Sequence, residues 1–154
     1  LDDKGKLLHE RARVETPHPA TPAAVIGHLV KLVAPLGKFD RISVGFPGVV
    51  VHGVTMSAPN LGDAWRNFAL AKTLTSKLKK PARVLNDAGV QGYGVIEGNG
   101  LEMLLTLGTG MGCALFYRGV YIPKLEPAHH PFRDGKTYER SIGNDAIPTI
   151  GKRT

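Results

Sequence analysis

The chain has 154 residues, enough for one ordinary domain or for two small lobes that share an interface. Its apolar and charged fractions, 42% and 21%, are those of folded globular proteins and exclude a disordered or fibrous chain. The net charge of +7 favours an anionic partner without selecting one. The basic groups lack the interleaved aromatic residues that read nucleic-acid bases, so we expect no nucleic-acid partner.

No apolar run approaches the roughly 18 residues of a membrane helix, and the first residues lack the basic and apolar regions of a secretion signal. We therefore expect a cytoplasmic protein without a membrane partner. Cys113 is the single cysteine, which excludes an internal disulfide and a multi-cysteine zinc site. Because the chain starts without methionine and ends on a basic segment, we expect it to be an internal piece of a longer protein.

The predicted elements of the first half alternate between strand and helix. They are a strand at 7–14, a helix from Thr21 to Gly37, a strand at 41–46, a helix at 63–79 and a strand at 83–85. This order favours an α/β layer with a largely parallel core sheet. Ligands bind such sheets at the carboxyl ends of the strands, so we expect the segments at 46–48 and 86–87 to line one crevice.

The second half changes in composition near residue 99. A short helix interrupted by glycines is predicted from Asp87 to about Gly98, and strand-like runs at 103–107 and 113–117 flank a glycine turn. A third short run follows at 120–122. We place an N-terminal α/β lobe at 1–98 and the start of a C-terminal α/β lobe at 99–154.

Asp87 and the glycine turn are the main candidates for chemistry. A carboxylate that follows a buried strand can accept the proton of a hydroxyl, although Asp87 in that position can equally cap the next helix. Successive amides of Gly108, Thr109 and Gly110 can cradle a phosphate, although such spacing often marks only a tight hairpin. Together, the acid and the turn suggest phosphoryl transfer to a sugar.

Glu126 and His129 offer either of two sites. Their Glu-x-x-His spacing is a metal-ligand spacing on a helix, but Pro127 disfavours a regular helix there. A loop in which they hydrogen-bond the hydroxyls of a sugar is the favoured interpretation. Taken alone, Glu139 is a solvated helix residue and Asn60 a turn residue.

The ordered set of these motifs resembles the ROK family of sugar kinases, with a particular likeness to its polyphosphate glucokinase branch. The likeness covers residues from about 41 to 143. It is carried by five segments: Val44-Gly45-Phe46-Pro47-Gly48, Ala58-Pro59-Asn60-Leu61 with Trp65, Asn86-Asp87-Ala88, Leu107-Gly108-Thr109-Gly110-Met111-Gly112, and Glu126-x-x-His129.

The resemblance implies an actin-like ATPase (ribonuclease H-like) fold of two lobes, with glucose bound in the cleft between them. It makes Asp87 the catalytic base and Gly108, Thr109 and Gly110 a phosphate-binding loop. The sugar-binding positions that it implies are Asn60, Asn86, Asp87, Glu126, His129 and Glu139. It also implies Mg²⁺ with polyphosphate or ATP as the phosphoryl donor, no metal site held by the protein alone, and a homodimer.

The sequence departs from the family pattern in three places. The first phosphate motif, an aspartate followed by paired glycines and threonine, is not found here, and neither is the last helix, so the fold is expected to be incomplete. Ala128 replaces a glycine of the family's Glu-x-Gly-His motif. The zinc-binding cysteine cluster of many members is missing, which agrees with the polyphosphate-using branch.

The resemblance leaves three functions open. The first is a kinase that transfers a phosphoryl group from polyphosphate or ATP to the 6-hydroxyl of glucose. The second is a sugar-sensing transcriptional regulator of the same family, and the third is an inactive fragment that still folds.

Overall fold

The computed structural model describes residues 1–2, 5–108, 110–123 and 127–143. The chain divides into two compact units, Leu1–Val84 and Leu85–Thr154. Each unit contains its own cluster of buried apolar side chains. None of the helices within the described ranges has the length and apolar character needed to span a bilayer. The lobe boundary expected between residues 98 and 99 stays a prediction.

The described part of the first unit contains two helices, three strands and the start of a fourth strand. They are α1 (Pro22–Val33), β1 (Ile42–Phe46), β2 (Val50–Val51), β3 (Val54–Thr55), α2 (Leu70–Leu78) and β4 (Ala82–Asn86), with 3-10 turns at Ala34–Leu36 and Asp63–Trp65. Strand β1 pairs with β4, and β2 pairs with β3 in an antiparallel hairpin. Helix α1 begins as predicted, because the Thr21 hydroxyl accepts a hydrogen bond from the Ala24 amide and Pro22 occupies the first turn.

The strand predicted at 7–14 is wrong. The structure assigns no strand to these residues, and the side chains of Leu7, Leu8 and Val14 are 68%, 61% and 49% exposed. A strand forms only when its amides and carbonyls pair with a neighbour, and an apolar sequence by itself supplies no partner.

The helix predicted at 63–79 is divided in two. Its first part is the 3-10 turn at Asp63–Trp65, Asn67 then takes a left-handed conformation with φ 57°, and α2 starts only at Leu70. The cause is Thr55, whose hydroxyl donates to the carbonyls of Trp65 and Phe68 and whose amide donates to the Phe68 carbonyl at 2.9 Å. These carbonyls are therefore not used as they would be in a continuous helix.

The buried centre of the first unit is Trp65, which is 1% exposed. Its indole nitrogen donates to the Ala20 carbonyl at 2.7 Å, and its ring lies 5.1 Å from the ring of Phe46 between centroids. An aromatic side chain with its polar atom satisfied stabilises a core strongly. The apolar cluster around it combines residues of α1, β1, α2 and β4 with one loop residue, Ala58. The residues from the four elements are Ile26, Phe46, Leu70, Leu74 and Val84.

Among the described residues, the second unit contains a small sheet and three helical segments. Its elements are α3 (Asp87–Gly92), β5 (Leu101–Leu107), β6 (Met111–Tyr117), β7 (Val120–Ile122) and α4 (Tyr138–Ile142), with a 3-10 turn at Pro127–His129. The three strands form an antiparallel meander in the order β5-β6-β7. The strands predicted on either side of the glycine turn are confirmed, whereas α3 ends at Gly92 rather than near Gly98.

Two glycines allow α3 to lie close against the meander. A side-chain carbon at Gly92 would overlap the ring of Phe116, and one at Gly89 would stand 3.0 Å from the ring of Tyr121. Phe116 is fully buried, and its ring contacts those of Tyr93 and Tyr121 at centroid distances of 5.1 and 5.5 Å. The glycines that weaken α3 as a helix are therefore what seats it on the aromatic face of the sheet.

The opposite face of the meander is apolar throughout. Strand register places ten side chains there: Leu101, Met103, Leu105, Leu107, Met111, Cys113, Leu115, Tyr117, Val120 and Ile122. Met111 and Cys113 are buried, whereas the four residues of β5 on this face are between 49% and 67% exposed. Apolar residues on both faces are typical of a sheet that is covered on both sides.

Candidate active site

Asp87 is the first residue of α3 and its side chain is exposed to solvent. The helix is capped by Asn86, whose side-chain oxygen accepts from the Ala88 amide at 3.0 Å. Asp87 Oδ1 accepts from the same amide at 2.9 Å. The capping alternative thus applies chiefly to Asn86, and the Asp87 carboxylate stays accessible to a ligand.

The glycine turn connects β5 to β6, as the hairpin interpretation predicts. Leu107 pairs with Met111 across it, and the Gly108 amide donates to the Gly110 carbonyl at 3.0 Å. Thr109 lies outside the described residues. The hairpin does not decide whether the turn also binds phosphate, and that role stays a prediction.

Gly112 brings the arm of this turn close to the helix that carries Asp87. A side-chain carbon at Gly112 would overlap the hydroxyl of Thr106 and stand 3.3 Å from Cβ of Ala88. Ala88 is 1% exposed and immediately follows Asp87. The strand that leaves the turn therefore packs closely against the residue that follows the acid, because Gly112 and Ala88 are both small.

The side chains of His129 and Glu139 lie close together because the segment between them folds back on itself. His129 ends the 3-10 turn and Glu139 lies in the first turn of α4. Between them the Phe132 amide donates to the Lys136 carbonyl at 2.8 Å, and the Tyr138 amide donates to the His130 carbonyl at 3.2 Å. These bonds turn the chain back so that His129 Nδ1 lies 3.5 Å from Glu139 Oε2.

Glu139 is more than the solvated helix residue that its sequence context suggests. Its side chain is 37% exposed, against 71% for His129, and its carboxylate lies directly over Gly110 of the turn. One carboxylate thus contacts both the glycine turn and the imidazole. A carboxylate and an imidazole side by side supply the acceptor and donor that vicinal hydroxyls need.

Ala128 fits the position where the family has glycine. It lies within the 3-10 turn, is 2% exposed and is not among the residues with positive φ. Alanine adopts this conformation without strain, so the replacement keeps the turn that presents His129.

Two further predicted residues are placed elsewhere or are not described. Asn60 belongs to the first unit, where it is exposed in a turn closed by the amides of Leu61 and Gly62 on the Ala58 carbonyl, each at 3.0 Å. Glu126 lies outside the described residues. Within the described ranges, no three His, Cys, Asp or Glu side chains form a group that could hold a metal ion.

Sequence reasoning missed the contacts that Gly110 and Gly112 make. Both join residues far apart in the chain, and a glycine pattern does not show what fills the space above each Cα. The start of α4 is marked in the sequence by Thr137, a residue type that often caps helices. The Thr137 hydroxyl accepts a hydrogen bond from the Arg140 amide at 3.4 Å.

The chain has the actin-like ATPase (ribonuclease H-like) fold, as its likeness to solved structures of ROK proteins shows. The chain belongs to the ROK family, whose family model matches residues 1–122. Polyphosphate glucokinase of Mycobacterium tuberculosis is 37% identical over 149 residues, which cover 92% of this chain and 56% of that protein. Polyphosphate glucokinase of Mycobacterium leprae is 37% identical over 145 residues, covering 90% and 44%. The chain thus spans about half the length of these relatives.

Solved structures agree with this assignment. The inorganic polyphosphate/ATP-glucomannokinase from Arthrobacter sp. strain KM superposes with a TM-score of 0.79 at 36% identity, covering 95% of this chain and 62% of that one. A ROK family glucokinase from Streptomyces griseus, in complex with glucose and AMPPNP, gives a TM-score of 0.71 at 22% identity, covering 87% and 49%. The second likeness shows the fold alone.

Proposed function

We propose that this protein takes part in phosphorylating a hexose, transferring the terminal phosphoryl group of polyphosphate or ATP to the 6-hydroxyl of glucose. The observation that carries the proposal is a chain of contacts within the second unit. Ala88, next to Asp87, approaches Gly112, and the Glu139 carboxylate lies over Gly110 and beside His129. The names of the relatives at 37% identity agree with this activity.

Asp87 is assigned as the base. Phosphoryl transfer to an alcohol requires a group that accepts the hydroxyl proton and directs the oxygen in line with the phosphorus atom. Asp87 is exposed and its position is fixed at the start of α3. The 6-hydroxyl of a sugar bound beside it donates its proton to the free carboxylate oxygen as the new oxygen–phosphorus bond forms.

His129 and Glu139 are assigned to hold the sugar. The carboxylate accepts hydrogen bonds from hydroxyls, and the imidazole provides a donor or an acceptor according to its tautomer. Asn86, Glu126 and Asn60 are proposed as further sugar contacts on the resemblance alone. This arrangement orients the hexose relative to Asp87, and orientation supplies much of the rate enhancement in such transfers.

The turn from Gly108 to Gly110 is assigned to the phosphoryl donor. The Gly108 amide already donates to the Gly110 carbonyl, so the other backbone amides of the turn are proposed to bind phosphate oxygens. Gly108 and Gly110 have no side chain, which allows the phosphate to approach the backbone closely. Mg²⁺ is proposed to enter with the donor, because this ion keeps several of its waters and binds largely through the oxygens of substrate phosphates. When bound, Mg²⁺ neutralises the charge of the donor phosphates.

The remaining parts of the proposal rest on the family. We propose a cytoplasmic enzyme that acts as a homodimer. The transcriptional regulator is the second candidate function, and no contact of the described residues favours it over the kinase.

A coupled assay on the full-length gene product tests the proposal. Polyphosphate and ATP are compared as donors across glucose, mannose and N-acetylmannosamine, with glucose affinity measured in parallel by calorimetry. We expect glucose to be phosphorylated with at least one donor. Glucose binding without turnover on either donor would overturn the kinase and support the sensor, and the absence of both would support the inactive fragment.

A further inference from the structure

The space above Gly110 is occupied by the carboxyl group of Glu139. A side-chain carbon built on Gly110 would overlap Glu139 Oε1 and stand 3.0 Å from Cδ and 3.4 Å from Cγ. The other carboxylate oxygen, Oε2, lies 3.5 Å from His129 Nδ1. The carboxylate is thus held between a glycine of the turn and the imidazole.

The backbone does not require glycine at position 110. Gly110 is not among the glycines with positive φ, so alanine can adopt its conformation. The group that an alanine would strike is the end of a flexible side chain, which moves more easily than backbone. Substitution at this position should therefore displace the Glu139 carboxylate and leave the fold intact.

We propose that Gly110 is a positioning residue for the sugar site: its missing side chain seats Glu139 against His129, and this contact couples the donor turn to the sugar. The inference rests on the proposed function, because it takes Glu139 and His129 as the sugar-binding pair. If Gly110 served the phosphate alone, its substitution would change only the binding of the donor. If Gly110 seats Glu139, its substitution weakens glucose binding even when no donor is present.

A double-mutant cycle tests this role. Gly110→Ala, Glu139→Gln and the double variant are compared for glucose affinity by calorimetry in the absence of donor, using the full-length protein. We expect each single variant to weaken glucose binding by about 10- to 100-fold, the range for one hydrogen bond to a charged group. The double variant should bind no more weakly than the worse single variant, because both changes remove the same interaction.

Gly27→Ala is the matched control, since Gly27 lies exposed in α1 with nothing within 4 Å of an added carbon. A second measurement needs no sugar: the ring ¹⁵N shifts of His129 should change alike in Gly110→Ala and Glu139→Gln. The proposal is overturned if Gly110→Ala leaves glucose affinity unchanged and alters only the KM of the donor, or if the two substitutions add.

These measurements distinguish failure of the positioning role of Gly110 from failure of the proposed kinase activity. A wild-type protein that binds glucose without phosphorylating it contradicts the kinase, while calorimetry and the His129 shifts still judge the role of Gly110. A wild-type protein that does not bind glucose overturns both.

Discussion

The position of Asp87 gives its carboxylate a defined direction without burying it. The Ala88 amide is shared between the side-chain oxygens of Asn86 and Asp87, so the acid is oriented by its own helix start. An exposed acid with a fixed orientation is suited to accept a proton from a bound hydroxyl, because the ligand can reach the carboxylate and the carboxylate oxygen has a defined direction.

Replacing Asp87 with asparagine should lower turnover strongly while glucose binding is kept. Asparagine keeps the size and the hydrogen-bonding oxygen but cannot accept the hydroxyl proton, so we expect kcat to fall by about 10² to 10⁴. Glucose affinity, measured by calorimetry on the full-length protein, should stay within a few-fold of wild type. Asp40→Asn, an exposed acid of the first unit, is the control. Turnover near the wild-type rate in Asp87→Asn would refute the assigned role.

Among the elements, α3 shows why sequence and packing can disagree. Glycine at positions 89 and 92 disfavours a helix locally, yet both positions face the aromatic side chains of the meander. The close packing against Phe116 and Tyr121 offsets the low helix propensity of the two glycines. It also fixes the helix that carries Asp87 relative to the strand that leads from the glycine turn.

A pair of glycine-to-alanine substitutions should therefore have opposite effects on stability. At Gly92 the added methyl group would overlap the buried ring of Phe116, and overpacking of this kind costs about 1–3 kcal/mol. At Gly27, where space is open, alanine should stabilise α1 by about 0.5–1 kcal/mol. Urea unfolding of each variant gives the free energy of unfolding. Equal effects at the two positions would contradict the packing described for α3.

Local signals predicted several elements correctly. Thr21 and Pro22 marked the start of α1, and apolar runs around Gly108 to Gly112 marked the hairpin of β5 and β6. The β2–β3 hairpin was not predicted, although its turn residues His52 and Gly53 both have positive φ, as tight hairpins require. Histidine is an uncommon residue in that position, which is why the pattern was not apparent.

The break before α2 could not be predicted from local sequence. It depends on Thr55 of strand β3, whose hydroxyl donates to the carbonyls of Trp65 and Phe68. The same holds for the site: the resemblance named Gly110 and Glu139 separately, but only the structure brings them into contact. Long-range contacts of this kind leave no periodic trace in a sequence.

At the scale of the whole molecule, the second unit holds most of the proposed machinery. Asn86, Asp87, the glycine turn, His129 and Glu139 all belong to Leu85–Thr154, whereas Asn60 belongs to Leu1–Val84. The chain spans 56% of the Mycobacterium tuberculosis relative. The two-sided apolar pattern of the meander suits a sheet that forms the centre of a larger α/β layer.

The most direct test of the account is a glucose titration of the isotopically labelled full-length protein, followed by NMR at the amides of Asp87, Gly110 and Glu139. If these residues form one sugar-binding site, all three signals should shift with the same apparent affinity. Saturable glucose binding that leaves the three signals unmoved would contradict the account.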